Sequence, residues 1–426
     1  MAVGIMLMTL VTLAVLFLYG IKWPHGMLAV YLNGMFLATL LLTDTGIPFF
    51  AGGSIVILTA VALGYYWLRW VGFKELWQGL KGPLPILAVL IAFDLVLAFL
   101  YGTHSSYGVL KIVRYFSVDL VFFLGVILFA GEEQKLKGFL GWIAFWGLAY
   151  ALSAVVGMVW GIPNSMYGWN NRIWFARALG LTLIAFYHFW GGGKQRRYGL
   201  ILVAGIFFLL MMYLNSSRGP VLALYAAIVA YEIFDFSGVS IPKRLIKMAV
   251  ISLLFMAIFW KYSPVAKPLS ETPMITNQQI TIADKFAEDA GGTANLRVII
   301  WRDTLNIIKK HPLLGTGTGS LASLLPVLHD EQYRYPHNIF LEVMGEQGLP
   351  GLLLWLAFLL YSAYLSIREL WQSQGGNRLY LTGLVLLVYG VANAMVSGDI
   401  TDNNYIFVAS GLIWAVYLTE RRSYQK

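Results

Sequence analysis

The stretch PLPILAVLIAFDLVLAFLYG, residues 83–102, is almost entirely apolar over its whole length. A helix of about 20 mostly apolar residues is long enough to cross the hydrocarbon core of a bilayer. Similar stretches recur along the chain without the ten-residue alternation that is typical of a transmembrane β-barrel. The sequence therefore predicts an all-α polytopic membrane protein. The thirteen candidate spans lie near 3–20, 26–43, 51–70, 83–102, 109–131, 139–161, 174–190, 199–214, 220–236, 245–262, 348–368, 379–397 and 403–419.

The composition of the whole chain agrees with this prediction. Of the 426 residues, 59% are hydrophobic and only 12% are charged, and the mean hydropathy is +0.70. An average soluble domain carries roughly 25% charged residues, so a soluble globular protein is excluded. The net charge of +9 is expected of basic cytoplasmic loops and does not indicate a nucleic-acid partner. The absence of cysteine excludes disulfides, iron–sulfur clusters and thiolate metal sites.

Lysine and arginine predict the orientation of the spans. Basic residues cluster in loops of one parity, near 71–82, 132–138, 194–197, 243–247 and 369–378, and in the C-terminal tail. Such loops are expected on the cytoplasmic side, which places the intervening loops outside. About 12 spans (12–13) are predicted, because the segment 23–26 joins either two full spans or one span and a partial insertion. No cleavable signal peptide is expected, since the first apolar run lacks a basic n-region.

The charge distribution divides the chain into three parts: an N-terminal transmembrane bundle at 1–262, an external loop domain at 263–347 and the C-terminal spans with their tail at 348–426. Within the loop, residues 263–335 hold 14 of the 51 charged residues, which indicates a folded unit outside the membrane. A helix is predicted over about 294–310, ended by His311-Pro312. Its apolar stripe predicts an amphipathic helix that lies on the outer membrane surface.

Several cations stand where the positive-inside rule disfavours them, at outer span ends or in the external loop. They are Lys111, Arg114, Arg172, Arg177, Arg218 and Arg297. Each needs a compensating partner, and a bound polyanion is one such partner. The alternative for each is an interfacial side chain that reaches the lipid headgroups. Arg218 lies in Asn215-Ser216-Ser217-Arg218-Gly219-Pro220, where a guanidinium fork and hydroxyl donors suit a phosphate.

Three other polar segments are candidates for the same outer surface. The glycine-rich segment 315–320 is either a flexible turn or a phosphate cradle, although no lysine follows as a P-loop requires. His337, followed by Asn338, is either a structural histidine or a general base for a sugar hydroxyl. The pair Asp399 and Asp402 either binds a divalent cation, pairs with arginine or forms a polar turn.

Together these segments resemble the O-antigen ligase and O-antigen polymerase family of bacterial inner-membrane glycosyltransferases. Order and spacing match over about 297–351, and an upstream segment also fits. The resemblance is carried by Arg297-x-x-x-Trp301, His311-Pro312-Leu313-Leu314-Gly315-Thr316-Gly317, Pro336-His337-Asn338, Glu346-x-Gly348-Leu349 and Ser217-Arg218-Gly219.

The resemblance implies a C-type glycosyltransferase-like bundle whose active site faces the periplasm. The donor would be a glycan on undecaprenyl pyrophosphate, and the acceptor of a ligase would be lipid A–core. By this resemblance Arg218 and Arg297 would bind the pyrophosphate, and His337 would be the base of an inverting transfer without a metal or other cofactor. Asp399 is a further match.

The motifs do not separate the ligase from the polymerase. We favour the ligase because of the chain length, the span count and the single late loop that holds both Arg297 and His337. A protein O-oligosaccharyltransferase with the same donor is a related alternative. A transporter or flippase of lipid-linked glycans is an alternative of another class, and it would need no general base.

Overall fold

The structure is a computed structural model that describes most of the chain. The described residues are 14–33, 48–71, 83–101, 106–160, 172–190, 198–214, 217–235, 248–249, 251–253, 255, 292–325, 335–373 and 377–424. The predicted span at 245–262 therefore lies largely outside the described residues.

Helices account for nearly all of the described backbone, and no strand occurs in it. A helical segment at 14–22 comes first. Two π-helical turns, Trp67–Val71 and Tyr115–Asp119, and one 3₁₀ turn, Ile400–Asp402, interrupt the series. The α-helices are α1 (Pro24–Leu32), α2 (Pro48–Tyr66), α3 (Pro83–Tyr101), α4 (Ser106–Arg114), α5 (Leu120–Ile127), α6 (Glu133–Val159), α7 (Arg172–Trp190), α8 (Tyr198–Leu214), α9 (Arg218–Phe234), α10 (Gly292–Lys310), α11 (Leu321–Leu324), α12 (Ile339–Gln372), α13 (Arg378–Ala394) and α14 (Tyr405–Tyr424).

Four of the described helices are long and apolar enough to cross a membrane. They contain Pro83–Tyr101, Glu133–Gly157, Ile173–Trp190 and Ile339–Gln372. Two shorter apolar helices contain Gly199–Met212 and Arg378–Ala394. The prediction of an all-α membrane protein is confirmed. The number of twelve spans, the external position of the loop and the division into three parts stay predictions.

Most helix bounds follow the apolar runs, but α12 begins well before the predicted span at 348–368. Asn338 explains this start, because its side-chain oxygen accepts hydrogen bonds from the backbone N–H groups of Phe340 and Leu341 at 3.1 and 3.2 Å. A side-chain acceptor at this position caps the free donors of a helix N-terminus. The helix can therefore begin at the end of the Pro336-His337-Asn338 motif.

Contacts among the described residues distinguish two ends of the bundle. At one end, the 395–404 turn joins α13 to α14, and His337 precedes α12. We call this the His337 end. At the other, opposite end, the Gly131 N–H donates to Thr419 Oγ1 at 2.7 Å. Arg378 also donates there, to the Tyr187 carbonyl at 3.0 Å.

Helix α10 has the predicted extent, and part of its apolar stripe packs on protein. Ile300 and Ile308 are buried, and Ile300 packs with Leu321 and Leu325. The helix as a whole packs on α12. Part of the stripe therefore packs on other parts of the protein, and the position of the helix on the membrane surface stays a prediction.

The glycine-rich segment after α10 is docked on a kink in α12. Gly348 forms the kink with φ 66° and ψ −163°, a backbone region that is essentially restricted to glycine. The Thr316 N–H donates to the Gly345 carbonyl at 2.9 Å, and the Gly317 N–H donates to the Glu346 carbonyl at 2.8 Å. These amides are thus used within the protein. Their use within the protein counts against the phosphate-cradle alternative and favours the turn.

Candidate functional site

His337 is a buried residue in a strained backbone conformation. Its φ of 54° makes it the one non-glycine residue with positive φ among the described residues. Only 7% of the residue is exposed. Such a conformation is uncommon outside glycine and persists where surrounding contacts impose it, often at functional sites.

Three neighbours hold the His337 segment. The Trp301 indole N–H of α10 donates to the Pro336 carbonyl at 2.8 Å. Asn338 caps α12 on the other side, so its side chain has a structural use. The ring of Tyr335 packs against the imidazole with centroids 4.5 Å apart. The motif residues Trp301 and Asn338 thus both orient the backbone at His337.

The imidazole of His337 is kept neutral. Burial lowers its pKa from the ordinary 6.5 to about 3, since a charged ring would lose its hydration. The positive charges of Arg297 and Arg177 also lower this pKa, whereas the Asp399 carboxylate raises it. The ring can therefore accept a proton over the whole physiological pH range. Burial first, and the two nearby positive charges second, make this imidazole a weak base.

Arg297 and Arg218, the two predicted anion-binding arginines, lie at this end of the bundle. Arg297 is half-buried in α10, and its charge acts on His337. Arg218 is exposed and begins α9. A methyl group on the adjacent Gly219 would lie 3.0 Å from Val396, beside the 395–404 turn. The two predicted anion-binding arginines and His337 therefore lie at the same end of the bundle.

Lys111 and Arg177 are enclosed by other residues of the protein, so the alternative of a headgroup-facing side chain is wrong for both. Each residue is only 1% exposed. Arg177 donates to the Ser397 carbonyl at 2.6 Å, to Asn403 Oδ1 at 3.0 Å and to the Asp402 carbonyl at 3.2 Å. It is therefore a clamp on the 395–404 turn rather than a side chain open to a ligand.

The remaining candidate cations, Arg114 and Arg172, are not shown to be buried in the way that Lys111 and Arg177 are. Arg114 is partly exposed and forms an ion pair with Asp402 at 3.1 Å. Arg172 begins α7, and its side chain lies outside the described residues.

Asp399 is fully buried and holds the 395–404 turn together. Its Oδ2 accepts from the Tyr107 hydroxyl at 2.5 Å. Its Oδ1 accepts from the Asp402 N–H at 2.7 Å and from the Thr401 hydroxyl at 3.1 Å. Among the polar-turn, ion-pair and metal interpretations, these contacts favour a capped polar turn. Within the described part of the chain, no group of three or more histidine, aspartate or glutamate residues is placed to hold a metal ion.

Sequence reasoning missed a set of buried acids behind His337. Glu342 and Glu346 lie on α12 and are fully buried, and both accept from Lys111. Asp94 of α3 accepts from the Thr318 hydroxyl of the glycine-rich segment. The sequence did contain one signal for this set, namely Asp94 within the apolar run 83–102. A charge inside a spanning helix requires a partner, so this residue predicts a polar contact within the bundle.

The fold and this site define a class of protein: an all-α membrane protein with a neutral buried histidine beside arginines at one end of the bundle. Residues 203–356 match the family model described as O-antigen ligase. This match confirms the predicted resemblance to the O-antigen ligase and polymerase family, whose members are glycosyltransferase-like enzymes. The matched residues include Arg218, Arg297 and His337. No curated protein matches the chain significantly.

Proposed function

We propose that the protein is an O-antigen ligase of the bacterial inner membrane. It transfers a glycan from undecaprenyl pyrophosphate to a sugar hydroxyl of lipid A–core on the periplasmic face. The observation that carries this proposal is the position of His337, which is buried, neutral and close to Arg297 within the matched part of the chain.

In the proposed reaction His337 acts as the general base. The imidazole accepts the proton of the acceptor hydroxyl while the hydroxyl oxygen attacks the anomeric carbon of the donor sugar. The bond between that carbon and the pyrophosphate oxygen breaks in the same step, and the pyrophosphate keeps the electron pair. Attack opposite the leaving group inverts the anomeric carbon without a covalent enzyme intermediate. General base catalysis of this kind contributes typically 10²–10⁴-fold.

Arg297 and Arg218 have two functions in this proposal. They bind the pyrophosphate and stabilise the negative charge that develops on it as it leaves. The bound donor also offsets the positive charge that lowers the pKa of His337. The base would then become stronger when the donor is in place, which couples proton transfer to occupancy of the site.

The test of the catalytic proposal is reconstitution of the purified protein with lipid-pyrophosphate glycan and lipid A–core. We expect His337→Ala to abolish transfer while the donor still binds. His188→Ala is the matched control, because His188 is also buried but bonds to Thr382 at the opposite end. Undiminished transfer by His337→Ala would refute the mechanism. Donor movement across the membrane without transfer by the wild type would favour a transporter.

The same assay tests the donor site and the acceptor. We expect Arg218→Lys to lose most of the activity, because an ammonium group cannot reproduce a bidentate guanidinium fork. Arg302→Lys is the control, since Arg302 is exposed on α10. Equal activity of both variants would count against pyrophosphate binding by Arg218. Parallel reactions with a second lipid-linked glycan or a protein as acceptor separate the ligase from a polymerase or a protein oligosaccharyltransferase.

A further inference from the structure

We propose that Lys111, Glu342 and Glu346 form a buried ionic triad that positions His337 against the 395–404 turn. The three residues are positioning residues, because they act on the base through the backbone that carries it. The inference rests on the proposed function in one respect only, namely that His337 is the base. The contacts of the triad stand independently of that function.

The triad joins two distant segments of the chain inside the bundle. Lys111 Nζ lies 2.5 Å from Glu342 Oε1 and 2.9 Å from both carboxylate oxygens of Glu346. The lysine is 1% exposed, and both glutamate side chains are 0% exposed. One cation therefore bridges two carboxylates on successive turns of α12.

A buried ionic cluster of this kind contributes little net free energy to the stability of a membrane bundle. Removing charges from water costs free energy that ion pairing often does not recover, and an apolar replacement is often as stable or more stable. Charged residues within spanning helices are correspondingly rare and mark functional regions. The energetic argument thus favours a use beyond stability for the triad.

Helix α4 connects this triad to both sides of the candidate active site. Lys111 holds Glu342, which lies in the first turn of α12 and donates its N–H to the Asn338 carbonyl at 2.9 Å. Tyr107 lies one turn before Lys111 and donates to Asp399 at 2.5 Å. A single short helix therefore fixes the His337 segment and the 395–404 turn to each other.

A direct contact between the two segments completes this arrangement. The Ile400 N–H donates to Glu342 Oε1 at 3.4 Å, so the same carboxylate oxygen that Lys111 holds also contacts the turn. Asp399 belongs to this turn, and Arg177 is hydrogen-bonded to it. The charges of both residues affect the pKa of His337. The relative position of the turn and α12 therefore sets the electrostatic environment of the base.

Glu346 extends the triad to the glycine-rich segment. Its carboxylate accepts from the Gly319 N–H, and its carbonyl accepts from the Gly317 N–H at 2.8 Å. A methyl group on Gly319 would lie 2.5 Å from the Gly108 Cα of α4. The glycine-rich segment is thus in close contact with both α4 and α12, next to the segment that carries His337.

The decisive variant is Lys111→Met, which removes the charge and keeps a long side chain. We expect at least a tenfold loss of kcat with little change in the KM for the donor, because the base is displaced while the arginines remain. Lys111→Arg, which keeps the cation, should recover part of the loss. The matched control is Lys135→Met at the opposite end, where Lys135 bridges Glu132 and the Tyr66 hydroxyl at 2.8 Å each.

A second measurement is independent of activity. Histidine-selective NMR in detergent, with the His337 signal assigned through His337→Gln, reports the environment of the imidazole. We expect Lys111→Met to shift this signal and its titration, and Lys135→Met to leave both unchanged. If Lys111→Met does not fold, Glu346→Gln takes its place, since it removes one negative charge and keeps the Lys111–Glu342 contact.

The outcomes separate the two proposals. If the wild type transfers glycan and Lys111→Met shows normal kcat and an unshifted His337 signal, the positioning proposal is refuted and the proposed function stands. Equal losses in Lys111→Met and Lys135→Met would also refute it, because the effect would be one of general stability. If the wild type transfers no glycan but Lys111→Met alone shifts the His337 signal, the triad is supported and the proposed function fails.

Discussion

The two ends of the bundle contain similar charged residues in very different surroundings. At the His337 end Lys111 and Arg177 are each 1% exposed and bonded within the protein. At the opposite end Lys137 pairs with Glu133 at 2.7 Å, with the two side chains 50% and 54% exposed. Water and salt screen the exposed Lys137–Glu133 pair. The buried charges of Lys111 and Arg177 are not screened in this way, so the loss of one of their partners costs much more free energy. Charge at the His337 end therefore fixes the geometry of neighbouring segments, whereas the exposed charge at the opposite end makes only a small contribution to the fold.

The largest expected difference between the ends concerns stability. Arg177→Met removes three hydrogen bonds from a charged donor and leaves buried acceptors on the 395–404 turn unsatisfied. We expect a loss of roughly 3–5 kcal/mol in the free energy of unfolding. Lys137→Met at the opposite end should cost less than about 0.5 kcal/mol. Reversible unfolding in mild detergent measures both, and equal losses would contradict the comparison.

A smaller but still large effect is expected from the backbone of the kink. In Gly348→Ala the new methyl group would lie 2.3 Å from the Leu313 carbonyl oxygen, at a φ of 66° that side chains rarely adopt. Strain and overpacking together predict a loss of roughly 2–4 kcal/mol. The control is Gly64→Ala near the opposite end, because Gly64 has no atom within 4 Å of the added carbon. Retained stability in Gly348→Ala would show that the kink is not required.

The smallest expected effect is a shift in pH dependence. The neutral imidazole of His337 is the active form, so activity should fall only as the pH drops towards its pKa of about 3. Arg297→Gln removes a positive charge that disfavours protonation, and the pKa should therefore rise. We expect the acidic limb of the rate profile to move to higher pH.

The control for this shift is Arg302→Gln, which removes an exposed charge from the same helix. Because Arg297→Gln also weakens donor binding in the proposed function, the position of the limb is compared rather than the height of the profile. A limb that stays in place in Arg297→Gln would contradict electrostatic contact between Arg297 and His337.

Much of the helical framework could be predicted from local sequence. The apolar run at 83–102 became α3 almost residue for residue, because an apolar segment of that length must satisfy its backbone internally. His337 and Arg297 could be selected from their motif and their unusual location. The packing of α10 on other parts of the protein could not be predicted. An apolar stripe predicts that a helix face is buried, but it does not say whether lipid or protein covers that face.

The amino-acid sequence by itself determined that the protein is helical, belongs in a membrane and carries unusually placed cations and a histidine motif. These properties can be predicted because they depend on the hydropathy, charge and spacing of residues that are neighbours in the sequence. Only the tertiary structure decided which cations remain accessible. Lys111 and Glu342 are 231 residues apart, and their contact depends on packing between α4 and α12. No local pattern contains that information, because the partner of a buried charge is set by the fold that buries it.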